Sequence, residues 1–219
     1  MTETIPTEYK KAFELAIPEP TLRKSFRLVC DLEAVRNLGS GLSGDGGAHW
    51  ITFTGGYVSS NFGLTAKILP GGQDSQKIYS PLHPSNPLAA QLSTRYLLET
   101  IEEEEGEGVF IKVETRGWRT GKKEILEKLS KIAQKSSSSQ QESEAGGEGE
   151  GREDTSSSSS SSSASVVDVP GPDEYKFRLF IEMETDSKNE KYAWLNTAMF
   201  VGSGSRSGRQ VIYDAYLVE

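Results

Sequence analysis

Hydrophobic positions recur along this chain at two spacings. Between Glu8 and Ile17, Tyr9, Ala12, Phe13, Ala16 and Ile17 fall at helical intervals until Pro18 and Pro20 end the pattern, so a short helix is expected. From Phe26 the period drops to two. Phe26, Leu28, Cys30 and Leu32 alternate with Arg27, Val29 and Asp31, the signature of a half-buried strand. Comparable runs follow at Trp50–Val58, Asn61–Leu69, Leu92–Thr100, Val109–Glu114, Tyr175–Glu184, Tyr192–Val201 and Gln210–Val218. Gly55-Gly56 interrupts one run where a bulge or sharp bend fits, and Pro70-Gly71-Gly72 marks a turn. Eight strands joined mostly by Gly, Asp and Ser turns predict an all-β fold, a single closed antiparallel barrel, because closure removes exposed edges.

One segment breaks the meander. Lys122 to Lys135 puts Ile125, Leu126, Leu129, Ile132 and Ala133 on one face, an amphipathic helix able to cap one barrel end. A low-complexity stretch follows, with Ser136–Ser139, a Gly/Glu tract and the serines of Ser156–Ser163. Such a composition buries too little apolar area to offset ordering entropy, so 136–172 is expected to be disordered. The resulting organisation is an extension over 1–20, a first barrel part over 21–135, the insert, and a last barrel part over 173–219. Charge changes the picture next. Residues 136–172 hold seven acids and one base, so the insert carries −6 of the chain's net −8 and the rest is nearly neutral. Neither nucleic acid nor an anionic membrane finds a basic footprint here. Cys30 is the single cysteine, no signal peptide is visible at Met1–Glu8, and no apolar run is long enough to span a bilayer. A cytoplasmic protein of a reducing compartment is expected.

Most chemistry-bearing motifs fail their context test. Gly39-x-Gly41-x-x-Gly44 has the letters of a dinucleotide fingerprint, yet it leads into the strand of Trp50 rather than a helix N-terminus. Pro70-Gly-Gly-Gln-Asp74 lacks the Lys-Ser/Thr of a phosphate loop. His49 and His83 are the only histidines, too few and too far apart to suggest a metal site, and a Ser/His/Asp triad would have to use His49. Cys30 lies on an apolar strand face and reads as packed rather than reactive. Polar residues within the strands say more. Arg95, Arg178, Glu184 and Asn196 are either the solvated side of the wall or convergent groups in a ligand-holding lumen, and strand parity alone does not choose. In a lumen they would supply a carboxylate and cationic or amide donors for proton transfer next to a carbonyl.

Several blocks, in order, resemble one family. They are Leu69-Pro-Gly-Gly-x-Asp74, Thr94-Arg95-Tyr96-x-Leu98-x-Thr100, Tyr175-x-Phe177-Arg178, Glu184-Thr185 and Tyr192-Ala-Trp194-Leu195-Asn196. Phe200-Val-Gly202-x-Gly204-x-Arg206 and Val211-x-x-x-x-Tyr216-x-Val218 continue the series. Together, over about 22–135 and 173–219, they resemble the domain of unknown function 3237 family. The resemblance implies a compact antiparallel barrel with a central cavity, similar in shape to allene oxide cyclase-like barrels. It also implies a role beside secondary metabolism, as fungal members of that family look to have. Where the family usually carries tryptophan after the aspartate of the Pro-Gly-Gly block this chain has Ser75, and Ser93 replaces a frequent aspartate before Arg95.

The combined expectation is a cofactor-free isomerase or cyclase acting on a small organic molecule. Arg95 and Arg178 would polarise an oxygen and Glu184 would move a proton. Asp74, Tyr192, Trp194, Asn196 and Arg206 would form the ligand-binding surface. The alternative is a non-catalytic, dirigent-like scaffold that binds and orients its ligand. No metal or cofactor is expected, and a homo-oligomer is compatible with either reading.

Overall fold

The computed structural model describes residues 6–40, 47–79, 88–101, 108–135 and 169–219. The His83 loop, the acidic Glu102–Glu105 tip and nearly all of the 136–172 insert lie outside them. The described chain contains ten strands: β1 Leu22–Leu32, β2 Arg36–Asn37, β3 Ala48–Ser60, β4 Thr65–Ile68, β5 Gln73–Tyr79, β6 Leu88–Thr100, β7 Phe110–Gly121, β8 Tyr175–Glu184, β9 Phe200–Ser207 and β10 Gln210–Val218. All pairings are antiparallel. β1 pairs with both β10 and β3, which closes the sheet into a barrel. One wall position is shared: β4 and β5 each pair with β3 on one side and β6 on the other. Eight wall positions therefore make the barrel, and the short β2 adds to the free side of β3.

Alternation fixes which side chains face inward. On β8, Tyr175, Phe177, Leu179, Ile181 and Met183 are buried while every residue between them is exposed. β1 contributes Phe26, Leu28, Cys30 and Leu32, and β6 contributes Leu92, Tyr96 and Leu98 to the same core. On β9 the inward series runs Phe200, Gly202, Gly204, Arg206. A Cβ on Gly204 would come within 3.0 Å of the Phe177 ring, so the missing side chain is the space that ring occupies. The β1–β3 register slips at Asp31–Leu32, the bulge that Gly55-Gly56 announces.

The two ends of the barrel differ. At one end the 3₁₀ turn Ala193–Thr197 carries fully buried Leu195, with Tyr192 beside it, while Trp194 stacks edge-on against Phe62 at 5.0 Å. The pattern over Tyr192–Val201 predicts one strand, but Tyr192 and Leu195, three apart, bury together on a turn of helix and the strand starts only at Phe200. At the other end sits an amphipathic helix, Lys123–Lys135, which buries Leu126 and Leu129. Near the start of the described chain, α1 is the short helix Lys10–Phe13 and buries nothing; the long helix after β7 is α2. No helix among the described residues is long and apolar enough to cross a membrane.

Candidate functional site

The lumen is apolar over most of its length and polar near the α2 end. β5 aims Asp74 and Gln76 inward, β7 aims Arg119, and β9 aims Arg206; all four are buried. Gln76 links two of them, its Nε2 donating to Asp74 Oδ2 at 2.5 Å while its Oε1 accepts from Arg119 Nη2 at 3.3 Å. Arg206 donates through Nε to the Gly208 carbonyl at 3.1 Å, and its backbone N–H donates to the Tyr175 hydroxyl at 2.9 Å. That hydroxyl also bonds the Ser205 Oγ at 3.0 Å. His49, opposite Gln76 in the β3–β5 ladder, is half-buried beside the cluster.

Three buried atoms in this cluster have no hydrogen-bond partner: Asp74 Oδ1, Arg119 Nε and Arg206 Nη2. Unpaired buried polar atoms are rare and costly in folded proteins. Electrostatics are correspondingly skewed. Burial raises the Asp74 carboxyl above its ordinary value, opposed by the Gln76 hydrogen bond, by both guanidinium groups and by the Ser93 backbone N–H. Burial lowers Arg119, and burial together with repulsion from Arg119 lowers Arg206 to about 10. His49 is lowered by burial and by the same two arginines. Two guanidinium groups thus share one carboxylate inside the wall.

Below the cluster lies a small cavity of about 20 Å³ lined by Asp74, Thr94, Thr115, Tyr96, Tyr213 and Phe177, among others. That volume holds one water molecule. Tyr96 and Tyr213 hydrogen-bond each other across the lumen, and Thr94 and Thr115 do so at 2.7 Å. Burial raises the Tyr96 hydroxyl and the neighbouring Cys30 thiol well above their ordinary values, so neither is an anion at neutral pH. Among the described residues no three His, Cys, Asp or Glu side chains gather as metal ligands would.

Of the residues singled out in the sequence, the structure brings Asp74 and Arg206 together at the polar end. Tyr192, Trp194 and Asn196 lie at the opposite end; the Asn196 Oδ1 accepts the Thr185 backbone N–H at 2.8 Å. Arg95, Arg178 and Glu184 do not enter the lumen. Their parity is that of the outer wall, because Tyr96 on β6 and Leu179, Ile181 and Met183 on β8 take the inner positions. Arg178 bonds the Ser203 Oγ at 3.0 Å, Arg95 pairs with Glu114 at 3.3 Å, and Glu184 forms an ion pair with Lys112. Glu184 and Asn196 do share an outer cleft of about 990 Å³ between β8 and the 3₁₀ turn. Arg119 and Gln76 were not singled out. Continuing the inward parity of Ile111 and Val113 along β7 leads directly to Arg119.

Comparison with known proteins places this architecture. The family described as "Protein of unknown function (DUF3237)" matches residues 20–218. The chain belongs to that family. Among solved structures, this DUF3237 barrel is similar to a β-barrel-like protein from Acinetobacter baumannii AYE, with 27% identity over 94% of this chain and 100% of that one and a TM-score of 0.62. It also resembles a conserved protein of unknown function from Rhodopseudomonas palustris (22% identity, 93% and 100% covered, TM-score 0.63). A protein of unknown function from Clostridium acetobutylicum is similar too (23%, 93% and 100%, TM-score 0.61). No curated protein matches. Asp74 and Arg206, from two separate sequence blocks that carried the family resemblance, are the members of those blocks that meet in the polar lumen.

Proposed function

We propose that this DUF3237 barrel binds a small organic molecule at the polar end of its lumen and converts it, without a cofactor, to an isomer or cyclised product of the same formula. The observation that carries this reading is the cluster of Asp74, Gln76, Arg119 and Arg206, buried with unpartnered atoms in an otherwise apolar core. Buried charges of this kind cost stability and are kept where they serve a ligand or a reaction. The two guanidinium groups would polarise an oxygen. Asp74 would take a proton from one atom of the substrate and return it at another, so that no net proton or electron is consumed. Its burial-raised carboxyl suits a group that must both hold and release a proton. Substrates among secondary metabolites, met in a reducing compartment, complete the proposal.

A second reading, a non-catalytic or dirigent-like binder, draws support from the lumen itself, whose described cavity admits only one water. Binding at the rim, between the ends of β3, β5, β7 and β9, needs no larger interior. Untargeted metabolite profiling of a deletion strain beside its parent separates the two. Accumulation of a compound equal in mass to a parent-strain product, and converted to it by substoichiometric purified protein, supports the enzyme. An unchanged profile, with ligand still co-purifying, supports the binder.

A further inference from the structure

The unpartnered atoms of the lumen cluster are of two kinds, and their kinds describe a ligand. Arg119 Nε and Arg206 Nη2 are donors on positively charged groups. Asp74 Oδ1 is an acceptor, and Asp74 lines a cavity of about 20 Å³, the size of one hydroxyl or water. Other polar atoms of the set are engaged internally, Gln76 with both Asp74 and Arg119, and Arg206 Nε with Gly208. Among its fully buried atoms the cluster therefore has two donors and one acceptor to offer, and its charged groups leave an excess of one positive charge.

We infer that the site takes an anion bearing a neighbouring hydroxyl, a hydroxycarboxylate or its enol or phenol counterpart, with the anionic oxygens on Arg119 and Arg206 and the hydroxyl donating to Asp74. Charge balance demands the anion: two guanidinium groups facing one carboxylate become neutral overall when one negative charge arrives. Donor and acceptor counts demand the hydroxyl, since a plain carboxylate would leave Asp74 Oδ1 unpaired and repelled. A neutral polyol could meet the hydrogen-bond count, since a hydroxyl both donates and accepts, but would leave the extra positive charge uncompensated. The inference rests on the lumen reading above and narrows its substrate class; the outer cleft, where Glu114 and Glu184 both pair with Lys112, shows no such deficit.

The test uses three small probes on the full chain: glycolate, which has both groups, acetate, which lacks the hydroxyl, and ethylene glycol, which lacks the charge. Titration calorimetry and ligand-dependent thermal unfolding should rank glycolate above acetate by roughly tenfold in affinity, the gain of one hydrogen bond to a charged group. Ethylene glycol should not bind measurably. Arg119→Met and Arg206→Met should abolish the binding of both anions. Asp74→Asn should reduce glycolate to the level of acetate while leaving acetate itself unchanged; should that variant not fold, the wild-type ranking decides alone. Equal affinity for glycolate and acetate, or binding of neither, overturns the inference. If neither anion binds but ethylene glycol does, the inference falls while a lumen ligand survives. If no probe binds and the deletion strain's metabolite profile is unchanged, both fall.

Discussion

Arg119→Met is expected to stabilise the protein while disabling its site. The side chain is buried inside the barrel and donates to Gln76 Oε1 across 3.3 Å, while its Nε is unpartnered. Losing that bond and stranding the Gln76 Oε1 acceptor costs about 1–3 kcal/mol, whereas removing a buried unsatisfied donor together with the desolvation of an unmatched charge returns several kcal/mol. The repulsion that helps hold Arg206 down to about 10 also disappears, and the Arg206 guanidinium is left matched one-to-one with Asp74. The sign follows from the direction of the Arg119 value. Its folded value lies below the unfolded one, so wherever the group is charged in both states carrying the charge destabilises the fold. Methionine is long, unbranched and adaptable enough to fill the vacated volume. The net expectation is a gain of about 1–2 kcal/mol, or about 2–8 °C in Tm for a chain of this size. Urea unfolding followed by tryptophan fluorescence, with the midpoint and slope compared to wild type, measures it. A loss of 1 kcal/mol or more at an unchanged slope would refute the reasoning, because it would mean that Arg119 is held by the fold for stability and not against it.

Other consequences can be checked beside it. Asp214 accepts from Arg27 at 2.7 and 2.8 Å and from Lys24 at 2.9 Å on the outer wall, which lowers its carboxyl below the ordinary value. Its contribution is present above the unfolded value of 3.8 and fades as pH falls through the lower folded one, so Asp214→Asn should flatten the acid limb of the stability profile, by no more than about 1 kcal/mol at neutral pH. Gly56 has φ +141°, and a Cβ there would sit 2.2 Å from the Val29 carbonyl oxygen. Gly56→Ala should therefore cost about 3 kcal/mol or more and abolish soluble expression or cooperative unfolding. Phe200 is fully buried and packs edge-on against Phe26 at 5.4 Å. Phe200→Ala should cost about 3–5 kcal/mol in denaturant unfolding, and Phe200→Leu clearly less.

Hydrophobic alternation made the walls legible wherever the inner residues are apolar. β1, β6 and β8 declare themselves because Leu28, Leu98 and Ile181 belong to every-other-residue apolar series, while Arg27, Glu99 and Glu182 mark the outer side. β5 does not, since its inward residues are Asp74 and Gln76; the polarity that makes it functional also hides it as a strand. β7 was readable only to Glu114 for the same reason. Beyond it the inner series is Thr115, Gly117 and Arg119, where small and charged residues replace the apolar period. Arg95, Arg178 and Glu184 were visible as charges in strands, but their side of the wall follows from what their neighbours bury, and only the closed sheet settles that. Asp74 and Arg206 were reached through sequence blocks and not through periodicity. A lumen site in such a barrel is written in the residues that interrupt the pattern.

The seam between β1 and β10 has a further meaning for how the chain is made. Leu22 pairs with Val218, and Arg23 bonds Glu219 across 196 residues of sequence. β1 leaves the ribosome first among the strands yet cannot be flanked on both sides until β10, the last of them, has followed. The hairpins β6–β7 and β9–β10 can form locally, but the closing pair carries the largest loop-entropy cost of the fold. Until it forms, β1 presents one unpaired edge, with Phe26, Leu28 and Leu32 uncovered. Nascent chains stalled before residue 210 should therefore be bound by chaperones, and release of β10 should be the event that frees them.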